Sequence, residues 1–97
     1  MATFSTTPRF DADYAALSRD ERERFKRAVS QFVDDLKAGR RPRPGLRVKR
    51  VQRTERIREM TFAPDGRATF EFGDPVRESE PHAIWRRVGT HEVLHSA

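Results

Sequence analysis

Apolar residues recur with the period of a helix in the first half of this chain and with the period of a strand in the second half. From Ser18 to Gly39 they repeat every three to four residues, which predicts one long amphipathic helix. Ser18 and Glu21 have the spacing of a capping box at the start of that helix, and Gly39 ends it. The same apolar spacing from Phe10 to Leu17 predicts a shorter helix before it.

From Leu46 onward, apolar residues alternate with polar ones, as in strands that are buried on one face. The alternation predicts four strands, at Leu46–Val51, Ile57–Phe62, Arg67–Phe72 and His82–Val88. The first strand loses its alternation at Val51, which predicts a bulge there. Residues 63–66 (Ala-Pro-Asp-Gly, the hairpin loop) have the composition of a turn in which the glycine adopts a positive φ. Residues 1–9 are expected to form an extended arm or an edge strand.

These elements predict an α+β fold in which two N-terminal helices pack on one face of an antiparallel β-sheet. The 97 residues are expected to form one domain, because a chain of this length is too short for two independent cores. Most aromatic residues of the strands should lie in the core under the long helix, although aromatic rings also stack on bases in proteins that bind single strands. These residues are Phe62, Phe70, Phe72 and Trp85. The other face of the sheet is expected to be free.

The charge of the chain favours a polyanionic partner. Its formal net charge is +5 and its pI is about 10.7, and most of its cations are arginines. Since a guanidinium pairs with phosphate through two hydrogen bonds, this composition is typical of domains that bind RNA or DNA. An acidic partner protein or an ordinary solvated surface would also explain it. With no cysteine and no apolar run of about 20 residues, the chain is expected to be cytoplasmic, without a membrane partner.

A basic tract extends from Arg40 to Arg58 and carries the candidate RNA-binding residues. In a strand, every second side chain of this tract would project from the free face of the sheet and contact phosphates. Several of these cations are also expected to pair with acidic residues on neighbouring strands. The candidate RNA-binding residues are Arg47, Lys49, Arg50, Arg53 and Arg58.

The residues around the end of the last predicted strand suit the cleavage of a phosphodiester. Attack by the 2′-hydroxyl requires a base, a cation beside the charged phosphorane and an acid for the leaving 5′-oxygen. His91 can serve as acid or base because the pKa of histidine lies near neutrality, and Asp65 can orient it or complement it. Arg67, Arg86 and Arg87 would stabilise the phosphorane. Since Arg86 and Arg87 are consecutive, they are expected on opposite faces of the strand, with at most one of them beside the ligand of His91.

Residues 91–95 also spell H-E-x-x-H, the pattern of zinc proteases. In those enzymes the two histidines lie on a long helix and a third ligand follows. Here the pattern comes directly after a predicted strand, with two residues of sequence behind it, so no such helix is expected. We therefore expect neither a metal nor a cofactor.

The order of these features resembles the RelE/ParE superfamily of toxins from type II toxin–antitoxin systems. A short helix, a long helix with AVSQFVDDLKAG, a basic strand, a hairpin and a closing strand with VGTH follow one another from roughly Phe10 to Leu94. The Gly-Thr-His segment is similar to that of the YafQ-like mRNA interferases. The resemblance implies a small basic endoribonuclease that cleaves mRNA on the ribosome without a metal, inhibits translation and is held inactive by a cognate antitoxin protein.

The resemblance also implies roles for individual residues. His91 matches the catalytic histidine of the Gly-Thr-His segment, and Asp65 matches an acidic residue of the hairpin. Glu59 falls where an upstream acid occurs, and Arg67 resembles a phosphate-binding arginine of the RelE branch.

The chain departs from the YafQ-like pattern at three places. Thr61 stands where those proteins have a second histidine, and Gly66 replaces an aromatic residue after the hairpin aspartate. The tyrosine that some relatives carry near the C-terminus is missing, since Tyr14 is the single tyrosine. These departures leave two alternatives to RNA cleavage: a ParE-like poison of DNA gyrase, or a nucleic-acid-binding protein that does not cleave.

Overall fold

The computed structural model describes residues 3–75 and 80–97. The helices are α1 (Pro8–Ala16) and α2 (Arg19–Lys37), and the strands are β1 (Thr3–Thr6), β2 (Lys49–Arg50), β3 (Arg58–Thr61), β4 (Gly66–Gly73) and β5 (His82–Thr90). Two 3-10 helices span Pro44–Leu46 and His91–Ser96. Among the described residues, no helix is both long enough and apolar enough to cross a membrane.

The strands form one five-stranded sheet in the order β1-β5-β4-β3-β2. Neighbouring strands are antiparallel except for β1, which runs parallel to β5. The predicted α+β fold is therefore confirmed, with two helices packed on a mostly antiparallel sheet, and residues 3–6 form the expected edge strand. β1 is free to run parallel because no hairpin joins it to β5.

Helix α2 begins and ends where the sequence predicts, because both of its ends are determined locally. The Ser18 side chain accepts a hydrogen bond from the Glu21 backbone, and the Glu21 side chain accepts one from the Ser18 backbone. At the other end Gly39 has a φ of 68°, and its N–H donates to the carbonyl oxygen of Leu36. Glycine adopts this left-handed conformation without strain, which lets the chain leave the helix abruptly.

The core lies between α2 and one face of the sheet. The Phe32 ring centroid of α2 lies 5.0 Å from that of Phe70 and 5.9 Å from that of Trp85, and all three residues are buried. The prediction that most aromatic residues of the strands lie in the core is confirmed for Phe70 and Trp85, and for the half-buried Phe62, which packs against the core. Phe72 is different, since it is 44% exposed.

The predicted strand at Leu46–Val51 is wrong except for its two residues Lys49 and Arg50. The chain before it forms a 3-10 helix that ends on Arg47, whose φ of 47° is left-handed and interrupts the extended backbone. Val51 is not a bulge. Its N–H donates to the carbonyl oxygen of Ile57 at 2.9 Å, so it closes the connection between β2 and β3.

The sheet face opposite α2 is covered at its centre, which contradicts the expectation of a free face. Glu59 and Thr69 are paired on β3 and β4, and both residues are buried. The 3-10 helix His91–Ser96 contacts β4 and β5 and carries Val93, which is buried outside the core cluster under α2. This segment folds back onto the sheet because the apolar side chain of Val93 is removed from water there. The exposed cations of the strands consequently lie at the margin of the sheet, at Lys49 and Arg50 of β2 and Arg58 of β3.

Replacing Gly66 with alanine is expected to lower the free energy of unfolding by about 1–3 kcal/mol, because it overpacks the end of the hairpin. Gly66 does not have the positive φ predicted for it. It opens β4, and a Cβ there would lie 2.7 Å from a ring carbon of Phe62. Denaturant unfolding measures the loss. Gly45→Ala is the matched control, since a Cβ at Gly45 meets nothing within 4 Å; equal losses in the two variants would contradict the steric explanation.

Candidate active site

The hairpin loop and the end of β5 lie side by side. Gly66 pairs with Thr90 and Arg67 pairs with Gly89, so the strands β4 and β5 deliver the loop and His91 to the same end of the sheet. The backbone N–H of His91 donates to Asp65 Oδ1 at 3.5 Å, the long end of the hydrogen-bond range. The structure thus brings together Asp65, Arg67 and His91, three of the residues selected from the sequence.

His91 begins a 3-10 helix directly after β5. Gly89 and Thr90, which lie beyond the predicted end of the last strand, continue β5, and the Thr90 side chain accepts a hydrogen bond from the Glu92 N–H at 3.4 Å. A Cβ at Gly89 would lie 3.1 Å from Val93 Cγ1, so glycine leaves room for the 3-10 helix to fold back. With Val93 turned toward the sheet, the His91 imidazole remains exposed to solvent.

The side chain of Arg67 donates hydrogen bonds to backbone carbonyl oxygens of the hairpin loop. Its Nη1 donates to the carbonyl oxygen of Gly66 at 3.0 Å and approaches those of Ala63 and Pro64 at 3.4 Å each. These contacts restrict the loop that carries Asp65. The arginine is half-buried, and it also lines a groove between α2 and the hairpin.

Arg86 is the extra residue of a β-bulge. Thr69 of β4 pairs with Arg87, whereas the next residue, Phe70, pairs with Trp85. An extra residue interrupts the alternation of side chains between the two faces of a sheet. The expectation that Arg86 and Arg87 point to opposite faces therefore fails.

Both of these arginines contact the segment after His91. Arg86 Nε donates to the carbonyl oxygen of Ala97 at 2.9 Å, and Arg87 Nη1 donates to Ser96 Oγ at 2.6 Å. Arg87 also pairs with Asp13 of α1 at 2.6 Å, and its side chain is only 14% exposed. Its charge is thus already neutralised by Asp13, and it anchors the 3-10 helix. The Arg86 side chain is 35% exposed and is the more accessible of the two.

Glu59, expected as an upstream acid, lies away from His91. It pairs with Thr69, three residues along β4 from Gly66 at the His91 end, which corresponds to roughly 10 Å of strand. Its side chain is 8% exposed, and Oε1 lies 3.8 Å from Lys49 Nζ. The structure does not bring this carboxylate to the site.

A groove of about 640 Å³ lies between α2 and the hairpin. It is lined by arginines and by two acids: Arg24, Arg27, Arg47, Arg67, Asp20 and Glu23. Asp20 pairs with Arg24 at 3.0 Å, and both side chains are largely exposed. Arg24 and Arg27 were missed in the sequence because, on an amphipathic helix, they have the same pattern as any solvated face. A spacing of three residues places them on one side of α2, which was the available signal.

All five candidate RNA-binding residues are exposed, but they do not form one surface. Arg47 lines the groove, Lys49 and Arg50 lie on β2, and Arg53 lies in the following turn with a φ of 66°. Arg50 stands directly opposite Arg58 of β3. Like charges in this position repel each other, and an anion bound between them would relieve the repulsion.

Asp35 attaches the start of the basic tract to α2. It is 2% exposed, and its carboxylate accepts hydrogen bonds from Arg43 Nε and Nη2 at 3.0 Å each and from the Arg43 backbone N–H at 2.9 Å. Arg40 Nη2 donates at 3.2 Å. The side-chain hydrogen bond from Arg43 is the main reason why the pKa of Asp35 lies well below its ordinary value; the backbone bond and Arg40 act in the same direction, against the effect of burial.

Within residues 3–75 and 80–97, no three histidine, aspartate or glutamate side chains converge as they would around a metal ion. The groups that the structure brings together at this end of the sheet are His91, Asp65 and Arg67. Histidine supplies proton transfer at neutral pH, and the guanidinium groups supply positive charge.

No protein-family model and no curated protein matches the sequence. Solved structures do match. A chain of the Escherichia coli DinJ–YafQ toxin–antitoxin complex superposes with a TM-score of 0.71 at 12% identity, over 96% of each chain. YafQ from E. coli strain BL21(DE3) gives a TM-score of 0.64 at 14% identity, over 97% of this chain and 98% of that one.

A structure from a second organism is also similar to this chain. A chain of the RelB–RelE antitoxin–toxin complex from Methanococcus jannaschii gives a TM-score of 0.63 at 14% identity, over 94% of each chain. At such identities the likeness concerns the backbone and not the chemistry of the site. The chain has the fold of the RelE superfamily toxins and is close to YafQ in structure, which confirms at the level of the fold the resemblance that its sequence carries.

Proposed function

We propose that this protein is the toxin of a type II toxin–antitoxin system and acts as a ribosome-dependent endoribonuclease that cleaves mRNA. The observation that carries the proposal is the position of His91, exposed at the end of β5 and beside Asp65 of the hairpin loop. The imidazole exchanges protons with the reacting RNA, and the carboxylate lies close enough to assist. Arg67 and Arg86 contribute positive charge near the phosphate that is cut.

The arginines around the site supply the affinity for RNA. The groove beside the hairpin contains four of them, and the β2 margin adds Lys49, Arg50 and Arg58. Phosphate contacts of this kind give affinity without sequence preference, which suits a protein that takes mRNA already positioned by the ribosome. Arg87 and Glu59 have structural roles and do not contact the RNA in this proposal, because Arg87 is paired with Asp13 and Glu59 is buried.

A cognate antitoxin is the second partner in this proposal. Structurally similar chains come from complexes of toxins with DinJ and RelB, and the net charge of +5 favours an acidic protein. Such a partner neutralises the basic surfaces that bind RNA, and this would keep the toxin inactive in the cytoplasm.

A gyrase poison is the alternative, and one observation favours it. Glu59 is buried and roughly 10 Å along the sheet from the His91 end. The hairpin end therefore has fewer groups for proton transfer than the sequence suggested. A protein that binds gyrase without cutting RNA needs none of them.

Induced expression separates the two functions. We expect growth arrest accompanied by new 5′ ends within translated mRNAs, mapped by primer extension, while no covalent gyrase–DNA complexes accumulate. Covalent gyrase–DNA complexes with intact mRNA would favour the alternative and contradict RNA cleavage. The absence of both lesions, and of growth arrest, would point to a nucleic-acid-binding protein that does not cleave.

Replacing Arg27 with alanine is expected to weaken RNA binding about threefold to tenfold and to reduce the slope of log K against log salt by about 1, because one phosphate contact in the groove is lost. Fluorescence anisotropy of a labelled single-stranded RNA at several KCl concentrations measures both quantities. Arg19→Ala is the matched control, since Arg19 is an exposed arginine of α2 that does not line the groove. An unchanged slope for Arg27→Ala, or the same change in both variants, would exclude the groove as the RNA path.

A further inference from the structure

A second imidazole lies beside His91. The ring centroids of His91 and His95 are 6.1 Å apart, with an angle of 69° between the ring planes, and both residues are exposed. The 3-10 helix produces this arrangement, because Val93 is buried against the sheet while His91 and His95, two residues away on either side, remain exposed. In the sequence, His95 was noted only as the last residue of the H-E-x-x-H pattern, for which no metal site is expected.

The separation of the two rings suits a phosphodiester. Proton transfer requires a nitrogen within about 2.6–3.2 Å of the oxygen that gains or loses the proton. Two rings whose centroids are about 6 Å apart can each have that reach to a phosphate that sits beside both of them. Strand cleavage requires two transfers at one phosphorus atom, on the entering and on the leaving oxygen. A histidine pair supplies both at neutral pH, since one member can be neutral while the other is protonated.

Positive charge stands next to this pair. Arg87 Nη1 and Arg9 Nη2 lie 2.6 Å and 3.5 Å from Ser96 Oγ, on the residue that follows His95. The acidic groups nearby are Asp13, which pairs with Arg87, Asp65, on the hairpin loop, and Glu92, within the 3-10 helix. A phosphate beside both rings would therefore have the guanidinium of Arg9 at the His95 side, since Arg87 is already paired with Asp13, and the Asp65 carboxylate at the His91 side.

We propose that His95 is the second proton-transfer group of the site, so that His91 and His95 form an acid–base pair around the scissile phosphate. The inference rests on the proposed cleavage of RNA. One imidazole removes the proton of the 2′-hydroxyl, and the 2′-oxygen forms a bond to phosphorus. The bond from phosphorus to the 5′-oxygen breaks, and the other imidazole gives its proton to that oxygen. The products are a 2′,3′-cyclic phosphate and a 5′-hydroxyl, and exchange with water restores both rings.

The test uses two ribosome-bound mRNAs that differ in a single atom at the position where the wild-type protein cuts. In one, the leaving atom is the normal 5′-oxygen; in the other, it is sulfur, which departs as a thiolate and needs no acid. We expect His91→Ala and His95→Ala each to slow cleavage of the normal RNA by at least about a hundredfold. One of the two variants, the one that lacks the acid, should recover to within about threefold of the wild-type rate on the sulfur-containing RNA.

A phenylalanine at position 95 separates proton transfer from packing. His95→Phe keeps an aromatic ring against His91 but has no proton to exchange, so it should be as slow as His95→Ala on the normal RNA. The acid–base pair would be contradicted if His95→Ala cleaved the normal RNA at the wild-type rate, or if His95→Phe restored that activity. It would also be contradicted if sulfur rescued both alanine variants, or neither of them. If the wild-type protein cleaves neither RNA, the proposed function itself fails; if it cleaves both and His95→Ala does as well, only the role of His95 fails.

Discussion

Replacing His91 with alanine is expected to reduce the rate of mRNA cleavage on the ribosome by about a hundredfold to ten-thousandfold. The imidazole is exposed at the end of β5, with the ring centroid of His95 at 6.1 Å, so its removal leaves the core untouched. The free energy of unfolding should change by no more than about 0.5 kcal/mol, as for other exposed positions. Single-turnover cleavage of a labelled, ribosome-bound mRNA measures the rate, and denaturant unfolding measures the stability.

His82→Ala provides the matched control on the same strand. His82 lies at the opposite end of β5, where its ring is hydrogen-bonded to Thr3 Oγ1 at 2.7 Å and to Ser5 Oγ at 3.1 Å. Loss of that ring affects the attachment of the edge strand β1 but not the hairpin end. Cleavage should continue near the wild-type rate. A His91→Ala variant that cleaves as fast as His82→Ala would remove His91 from the mechanism.

Replacing Asp35 with asparagine is expected to lower the midpoint of thermal unfolding by on the order of 10 °C. The buried carboxylate faces three donors of Arg43 and one of Arg40, and an amide neither balances their charge nor accepts all four hydrogen bonds. Differential scanning calorimetry measures the midpoint. Asp34→Asn is the control, because the neighbouring Asp34 is exposed on the same helix; the same loss in both variants would contradict the explanation.

The contribution of Asp35 also depends on pH. Its pKa is lowered in the folded protein, mainly by the side-chain hydrogen bond from Arg43, and lies near the ordinary value of about 3.9 in the unfolded chain. The carboxylate therefore stabilises the fold fully above about pH 5, and this stabilisation is lost as the pH falls below about 4 toward the folded pKa. The difference in stability between the wild type and Asp35→Asn should be constant from pH 5 to 7 and shrink on acidification. A difference that does not change down to pH 2 would exclude the ionised carboxylate as its source.

The elements that could be predicted from the sequence are those whose ends depend on nearby residues. Helix α2 is capped by Ser18 and Glu21 and terminated at Gly39, all within a few residues of its ends. β4 and β5 lie where the alternation predicts strands, because residues of each strand are buried in the core under the helices. Local chemistry was sufficient for these parts.

The features that could not be predicted depend on residues distant in sequence. The bulge at Arg86 is a property of the pairing between β4 and β5, and Glu59 is buried at the position where β3 pairs with Thr69 of β4. Neither leaves a mark in the alternation of apolar residues. Similarly, the sequence gives no sign that Asp35 is buried, because its partner Arg43 lies eight residues away.

The candidate site shows the same division. His91, Asp65 and Arg67 were selected from the sequence, and the pairing of β4 with β5 places them at one end of the sheet. Arg24 and Arg27 of the groove were missed, since only the approach of the hairpin to α2 distinguishes them from other exposed arginines. His95 was assigned to a chance motif, because its distance to His91 depends on a 3-10 helix that alternation does not predict.

The most direct test of the account is reconstitution with purified components. The wild-type protein is mixed with an mRNA either alone or bound to ribosomes, and the new RNA ends are analysed chemically. We predict cleavage of the ribosome-bound mRNA within translated codons, with a 2′,3′-cyclic phosphate on one fragment and a 5′-hydroxyl on the other, and little cleavage of the free mRNA. Intact mRNA on ribosomes, together with DNA breaks in a parallel reaction with gyrase, would contradict it.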